Sequence, residues 1–440
     1  MPFWHRPRHS VVLPAGGVSA AGSRIFDLGW PDLLMLEVSM VGRQREIAEI
    51  ERIRDSRVIT YVTGDRNPVA ARIGDDAVRP FFDVLRELGP AETLDLFIYS
   101  RGGAIEVPWR IASAFRQYAP KWRVLIPFRA NSAATLLALG ADEIVLGRHG
   151  ELGPIDPILS IQHRPGAPGH PDLTPLDDAI NVEDVMAYLR FVREQVGLTD
   201  QSALAESLGR LAERLDAVGL GSVYRTRSHI RDVAHRTLIS RQRPPNERVM
   251  ETIVETLASR VYAHGHAIGF SEARDIGLPV VEANGALEAA MWTLLCKYED
   301  DLKLREPIDP GGRILDSDRF VDETPIAVVE STRTRYEFRG SLDIRAVRQM
   351  PSSLNVTLNL NLPLPPNVDP SQISAEMSVV AEQMRAQIQP LAQQAVNEAL
   401  GAQAPVVGID VKFRDGRWTR VDPVTDEGDA VGPSRRDASA

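Results

Sequence analysis

Two small-residue turns carry the groups that acyl transfer to a serine requires. Gly102 and Gly103 follow the apolar run of residues 94–99, and Ser132 follows a second apolar run, residues 122–128. Such chemistry needs a nucleophile, a nearby base, and N–H donors directed at the oxygen that becomes negative. The sequence therefore predicts Ser132 as a nucleophile and the glycine turn as a source of donors.

The residue after the serine supplies a second donor. Ala133 begins a short apolar helical pattern, so Ser132 is expected near a helix N-terminus, where free N–H groups favour an oxyanion. We expect the N–H of Gly102 or Gly103, together with the N–H of Ala133, to form an oxyanion hole. The residues alone leave an alternative open, in which the glycines only make a turn and Ser132 caps a buried helix.

The elements around these turns predict an α/β fold. Residues 94–99 and 122–128 are short runs rich in apolar residues, as in strands buried on both faces, and residues 104–118 carry apolar side chains at helical spacing. Together they form a crossover unit of a parallel sheet. Ligands gather at the carboxyl ends of such strands, which is where both turns fall.

The composition limits the class of protein. The chain has 440 residues, of which 43% are hydrophobic and 25% charged, as in ordinary globular domains. No apolar run approaches the ~20 residues of a membrane span, so we expect a cytoplasmic protein without one. The net charge of -10 argues against general nucleic-acid binding. The single cysteine, Cys296, excludes an intrachain disulfide, and no cofactor, metal or nucleotide-binding motif is predicted.

Shifts in composition divide the chain into five predicted segments. They are a mobile N-terminal arm at 1–24, a catalytic α/β domain with a helical extension at 25–305, a linker at 306–325, a small separate α/β module at 326–420 and a disordered tail at 421–440. Within the module, residues 354–362 alternate as a half-buried strand, and residues 375–400 form an amphipathic helix.

Several motifs in order resemble one family. The run IYSRGGAIEVPWRIASAF, the later FRANSAATLLALGADEIVLG, and the turn ELGPIDP are similar to the serine dehydrogenase proteinases of the Clp/crotonase superfamily. The resemblance covers about residues 40–285. It implies stacked β-β-α units, Ser132 as the nucleophile and Gly102 and Gly103 at the oxyanion turn. It also implies a peptide or protein substrate, a homo-oligomer and, as a possible partner, a separate ATPase.

The base is the group that the sequence does not identify. Relatives pair the serine with histidine and aspartate or with lysine, but no lysine occurs between Lys121 and Lys297, and arginine stays protonated. His149 and His163 are the histidine candidates. Asp156 lies in the turn most similar to the family and either orients a base or caps the turn.

Three functions follow from these observations. The first is a serine peptidase that forms an acyl-enzyme on Ser132. The second is a catalytically weak or inactive scaffold that binds peptides or assembles, since no base is evident. The third is a crotonase-like acyl-CoA enzyme that uses the glycine turn for a thioester oxyanion, although no carboxylate is obviously placed for proton transfer.

Overall fold

Twelve strands are assigned in the part of the chain that the structure describes. The computed structural model describes residues 42–155, 158–160, 179–214, 217–260, 265–315, 317–349, 382–384, 386–395 and 404–421. The strands are β1 (Arg57–Thr63), β2 (Thr93–Tyr99), β3 (Lys121–Ile126), β4 (Arg129–Ala130), β5 (Glu143–Leu146), β6 (Glu151–Leu152), β7 (Ile158–Ser160), β8 (Ala179–Asn181), β9 (Val280–Glu282), β10 (Arg319–Glu330), β11 (Arg335–Arg348) and β12 (Val406–Val421).

Eight of these strands, within the described residues, form one sheet in the order β12-β11-β10-β1-β2-β3-β5-β9. The half from β1 to β9 is parallel, and β10, β11 and β12 are antiparallel to their neighbours. β2 and β3 are almost wholly buried, as their content of apolar residues predicts. The parallel half therefore brings the two small-residue turns to the same edge.

Helices cover both faces of the sheet. The helices are α1 (Arg43–Arg54), α2 (Val78–Leu88), α3 (Val107–Tyr118), α4 (Ala133–Ala138), α5 (Val182–Arg190), α6 (Gln201–Arg214), α7 (Ala217–Ile239), α8 (Glu247–Glu255), α9 (Phe270–Ile276), α10 (Gly285–Asp301) and α11 (Pro310–Arg313). One apolar core joins α2, α3, α4 and α7 to the sheet, and a second joins α1 and α10 to the opposite face. The predicted α/β fold class is confirmed, and α5 to α8 supply the helical extension.

Short pairings continue the ladder beyond the ends of the main strands. β4 pairs with β6, and isolated bridges join Ser100 to Ala130 and Leu152 to Ile268. Along the chain, β3, β4 and α4 form a β-β-α unit. These short pairings hold in place the segments that follow β2, β3 and β5. They therefore set the distance between the glycine turn at Gly102 and the serine turn at Ser132.

The C-terminal strands continue the central sheet, which differs from the separate module that composition predicts. Thr60 of β1 is paired with Glu330 of β10, and β11 and β12 extend the sheet from there. β12 runs through residues 414–417, with Asp415 at a φ of 55°. Two strands this far apart in the chain can pair without any short sequence pattern that indicates it. The predicted strand at 354–362, the N-terminal arm and most of the tail lie outside the described residues.

Two further observations concern the helices. Cys296 is half-buried on α10. In the described residues, no helix is both long and apolar enough to cross a membrane.

Candidate active site

Ser132 occupies an unusual backbone conformation at the start of α4. Its φ is 53° and its ψ is -116°, in a region that residues with a Cβ rarely adopt. Such a conformation costs on the order of 1 to 3 kcal/mol and persists only where the surroundings enforce it. The side chain makes no capping hydrogen bond to the helix, so the interpretation of Ser132 as a helix cap does not describe this serine.

The glycine turn packs directly against the serine turn. Gly102 has a φ of 101°, and a Cβ on it would lie 2.8 Å from the Cβ of Ser132 and 2.9 Å from the backbone nitrogen of Ala133. The same Cβ would lie 2.6 Å from the carbonyl oxygen of Asn131. Only glycine combines this φ with this close approach. The two turns that the sequence predicts as partners are therefore in contact.

The second glycine lies against the residues before α2. A Cβ on Gly103 would overlap the backbone of Ile73. The N–H of Ile73 donates to the carbonyl of Gly102 at 2.8 Å, and the N–H of Ala104 donates to the carbonyl of Ile73 at 2.8 Å. These bonds hold the chain on both sides of Gly103 and fix the direction of its own N–H.

The backbone N–H groups near Ser132 divide into one used donor and two available donors. The N–H of Gly102 donates to Ser100 Oγ at 3.0 Å, so it serves the turn itself. For the N–H groups of Gly103 and Ala133, no acceptor is found among the described residues. Of the two glycines that the sequence proposes, Gly103 is therefore the one whose N–H is available beside that of Ala133.

A buried pair of hydroxyl groups supports the glycine turn, and sequence reasoning missed it. Thr63 Oγ1 donates to Ser100 Oγ at 2.8 Å, and both residues are buried. Ser100 in turn accepts the N–H of Gly102. Ser100 is the first residue of the SRGG motif, which is a signal for its role. Thr63 is the last residue of β1 and belongs to no recognisable motif, because only the pairing of strands in the sheet brings it next to Ser100.

Thr135 ties the serine turn to the segment that leads to Asp156. Its hydroxyl oxygen lies 2.7 Å from the carbonyl oxygen of Ala130 and 2.9 Å from that of Gly153. The same hydroxyl accepts the N–H of Gly153 at 3.1 Å, and the residue is wholly buried. Two residues further on, the N–H of Ile155 donates to the carbonyl of Leu257 at 3.0 Å. The segment is thus anchored on both sides of Pro154.

Asn131 brings a second polar side chain to the serine turn. Its side chain lies against Gly153, where a Cβ would approach the Asn131 Cγ to 3.1 Å. The Oδ1 atom is buried and has no hydrogen-bond partner within the described structure. A buried acceptor without a partner costs about 1 to 3 kcal/mol, so this atom favours an N–H or O–H donor from a bound molecule.

Two arginines at the strand ends share one carboxylate. Arg101 Nε donates to Asp65 at 2.6 Å and Arg129 donates to the same carboxylate at 3.2 Å. Tyr99 also donates its hydroxyl to Asp65, at 2.9 Å, and burial raises the pKa of that phenol. The arginine of the SRGG motif therefore holds the strand ends together through Asp65.

No candidate for the catalytic base lies beside Ser132 within the described ranges. The ring of His149 lies against Trp292, with 6.0 Å between the ring centroids. Both line an open cleft of about 740 Å³ with Glu288 and residues of the β9–α10 connection. In the described ranges, no histidine, lysine or carboxylate is hydrogen-bonded to the Ser132 hydroxyl. Asp156 and His163 lie outside those ranges.

The lysines lie elsewhere. Lys121 is the first residue of β3, at the opposite end of the strand from Ser132, and Lys297 pairs with Glu46 at 2.6 Å. His266 also has a partner, Glu272, at 3.0 Å. In the described ranges, Ser132 and the available N–H donors therefore have no lysine beside them.

Part of this chain is similar to known proteins. Residues 26–168 match the family described as ClpP-like SDH-type serine proteinase. Two uncharacterized proteins of Methanocaldococcus jannaschii are 31% identical over 130 residues and 30% identical over 125 residues. These matches cover 28% and 27% of this chain, and 44% of each relative. The chain thus spans less than half the length of these curated relatives.

A solved structure is also similar, but only weakly. A point mutant of ClpP1 from Listeria monocytogenes matches with 12% identity and a TM-score of 0.28, over 55% of this chain and 98% of that one. A likeness of this size carries no argument about the site.

The matched segment holds both functional turns, the strand between them and the GELGPI segment. The match over residues 26–168 is to the ClpP-like SDH-type serine proteinase family, which is the family that the sequence motifs resemble.

Proposed function

We propose that this protein is a serine peptidase that cleaves peptide bonds through an acyl-enzyme on Ser132. The observation that carries the proposal is the contact between the two turns. A serine in an enforced backbone conformation lies beside a glycine turn, and the N–H groups of Gly103 and Ala133 have no acceptor among the described residues. These are the parts that acyl transfer needs.

The reaction divides into acylation and deacylation. In the first step Ser132 Oγ attacks the carbonyl carbon of the substrate, and its proton passes to a base. The carbonyl oxygen becomes negative and accepts hydrogen bonds from the N–H groups of Gly103 and Ala133. The C–N bond then breaks, and the base returns the proton to the leaving amine. In the second step water attacks the ester by the same route and releases Ser132.

Asp156 and His149 are the candidates for the proton-transfer step. Asp156 directly follows Ile155, and the bonds made by Thr135 and Leu257 anchor the residues before it. This anchoring supports Asp156 as the base or as the residue that orients it. His149 has Trp292 as its ring partner, which favours Asp156 over His149 for this role.

Two other functions make different predictions. A scaffold without activity is favoured by the absence of a base beside Ser132 within the described ranges, and it would bind unfolded protein without cleaving it. A crotonase-like enzyme would bind acyl-CoA through the same glycine turn. We further propose a cytoplasmic homo-oligomer, which a separate ATPase supplies with unfolded substrate.

Hydrolysis of an unfolded protein separates these functions. Purified chain is incubated with casein, and peptides are followed by mass spectrometry, with the Ser132→Ala variant as the reference. We expect peptides from the wild type and none from Ser132→Ala. Equal cleavage by both would contradict the role of Ser132. Binding without cleavage by either protein would favour the scaffold, and binding of acyl-CoA would favour the third function.

A further inference from the structure

The outer end of the C-terminal strands has one apolar face and one polar face. β1 pairs only with Ala327–Glu330 of β10, so the three strands extend beyond it. On one face Leu342 and Ile344 are buried against Val69 and neighbouring apolar side chains. The opposite face is polar, and its charges are unbalanced.

Register pairs define this polar face. Residues directly opposite each other on neighbouring strands point to the same side. Four rows of paired residues make up the face: Arg319, Arg345 and Asp410; Val321, Asp343 and Lys412; Glu323, Ser341 and Arg414; Pro325, Arg339 and Arg417. These rows hold six cations and three carboxylates. We call them the arginine face.

The carboxylate at the centre of this face is surrounded by more cations than it can neutralise. Asp343 is only 2% exposed, whereas Arg319, Arg345 and Arg414 are 56%, 44% and 46% exposed. Arg319 Nε and Arg345 Nε each lie 3.0 Å from Asp343, and Arg414 Nε lies 3.4 Å away. The guanidinium groups of Arg345 and Arg319 hold the pKa of Asp343 well below its usual range, so the carboxylate stays ionised.

Three guanidinium groups around one carboxylate leave an excess of positive charge and of N–H donors at the surface. Each guanidinium carries five donors, and one carboxylate offers about four acceptor positions. The cations also repel one another, and an incoming anion reduces that repulsion. The outward edges of these arginines are therefore arranged to bind further carboxylates.

We propose that the arginine face binds an extended acidic segment of another polypeptide. In an extended chain, every second side chain points to the same side, at a repeat of about 6.7 Å, which is also the repeat along these strands. Carboxylates at that spacing match planar guanidinium groups, which bind them through paired N–H donors. The net charge of -10 for the whole chain makes this basic face a local exception.

Nucleic acid fits this face less well. Proteins that bind single strands combine cations with aromatic side chains on which bases stack. The four rows contain no aromatic residue, as the register of the described strands shows. The aromatic side chains Phe338 and Trp418 pack instead against each other.

Binding of two anionic probes tests the proposal. A fluorescent oligoglutamate peptide and a fluorescent oligothymidylate are titrated with full-length Ser132→Ala protein, so that cleavage cannot affect the reading. We expect the peptide to bind, and its affinity to fall as salt rises. The triple variant Arg319→Gln, Arg345→Gln, Arg414→Gln should lose roughly tenfold, since three exposed charge contacts each contribute a few-fold.

A matched triple variant controls for total charge. Arg79, Arg274 and Arg305 are exposed and lie outside the arginine face. Their replacement by glutamine removes the same charge and should leave the affinity unchanged. The single variant Arg414→Gln keeps two partners for Asp343 and covers the case in which the triple variant does not fold. The proposal is overturned if the peptide does not bind, if both triple variants lose equally, or if oligothymidylate binds as tightly.

Discussion

Gly102 and Ser132 come from turns 30 positions apart in the sequence, yet a Cβ on Gly102 would lie 2.8 Å from the Cβ of Ser132. The serine turn therefore has its conformation set by the glycine turn. We propose that this contact brings the N–H groups of Gly103 and Ala133 to the site where the oxyanion forms.

The first prediction concerns the replacement Gly102→Ala. The added methyl group would meet Asn131, Ser132 and Ala133, so the two turns must separate. We expect the rate of labelling by a fluorophosphonate probe to fall by about 100-fold or more, comparable to loss of an oxyanion donor. Gly89→Ala is the control, because Gly89 also has a positive φ, 71°, but has no atom within 4 Å of a Cβ. Equal labelling of wild type and Gly102→Ala would refute the contact's role.

The second prediction concerns Thr135 as a positioning residue. Thr135→Val keeps the shape but leaves the N–H of Gly153 without its acceptor, at a cost of about 1 to 3 kcal/mol in unfolding free energy. Because the segment before Asp156 is then less restrained, kcat for peptide cleavage should fall while Thr135→Ser retains it.

Thr237→Val provides the control for that variant. Thr237 is equally buried, but its hydroxyl donates only to Val233 within α7, at 2.6 Å. It should lose stability without a change in kcat. A parallel loss of kcat in both valine variants would mean that Thr135 acts on stability alone.

The third prediction tests whether the C-terminal strands belong to the same cooperative unit. Glu330 of β10 accepts hydrogen bonds from Arg43 and Tyr298, each at 2.9 Å, and all three residues are buried. Glu330→Ala leaves Arg43 paired with Asp301 but removes the acceptor of its Nε and of the Tyr298 hydroxyl, so we expect a loss of about 1 to 3 kcal/mol in denaturant unfolding.

Glu49→Ala serves as the comparison, since Glu49 forms an exposed pair with Arg52 and should change stability by less than about 1 kcal/mol. If Glu330→Ala changed only a separate minor transition, the C-terminal strands would be an independent unit.

The fourth prediction concerns the acid dependence of stability. The arginines around Asp343 lower its pKa in the folded chain, whereas the unfolded value is about 3.9. Asp343 therefore stabilises the fold above the unfolded pKa, and this contribution is lost as pH falls from about 4 towards the folded pKa. In Asp343→Asn, unfolding free energy should depend less steeply on pH below about 4. An unchanged slope in acid would contradict this.

Particular residues show what the sequence reveals. The apolar runs of β2 and β3 and the helical spacing of α3 are local patterns, so the central crossover and the turns at Gly102 and Ser132 could be predicted. The role of Thr135 could not, because its partner Gly153 is brought to it by the pairing of β4 with β6. Thr63 is hidden in the same way.

The position of the C-terminal strands illustrates a second limit. The alternation of residues along a strand indicates which face is buried but not which strand it joins. The pairing of Thr60 with Glu330 spans most of the domain, and no short pattern records it. A change in composition near residue 306 was therefore interpreted as a boundary, although the sheet continues across it.

The most direct test of the central claim is the site at which a fluorophosphonate probe reacts. Wild type, Ser132→Ala and the control Ser207→Ala are treated with the probe, and the modified residue is identified by peptide mass spectrometry. Our account predicts one adduct on Ser132, found in the wild type and in Ser207→Ala and absent from Ser132→Ala. Equal labelling of wild type and Ser132→Ala, or no labelling of the folded wild type, would contradict it.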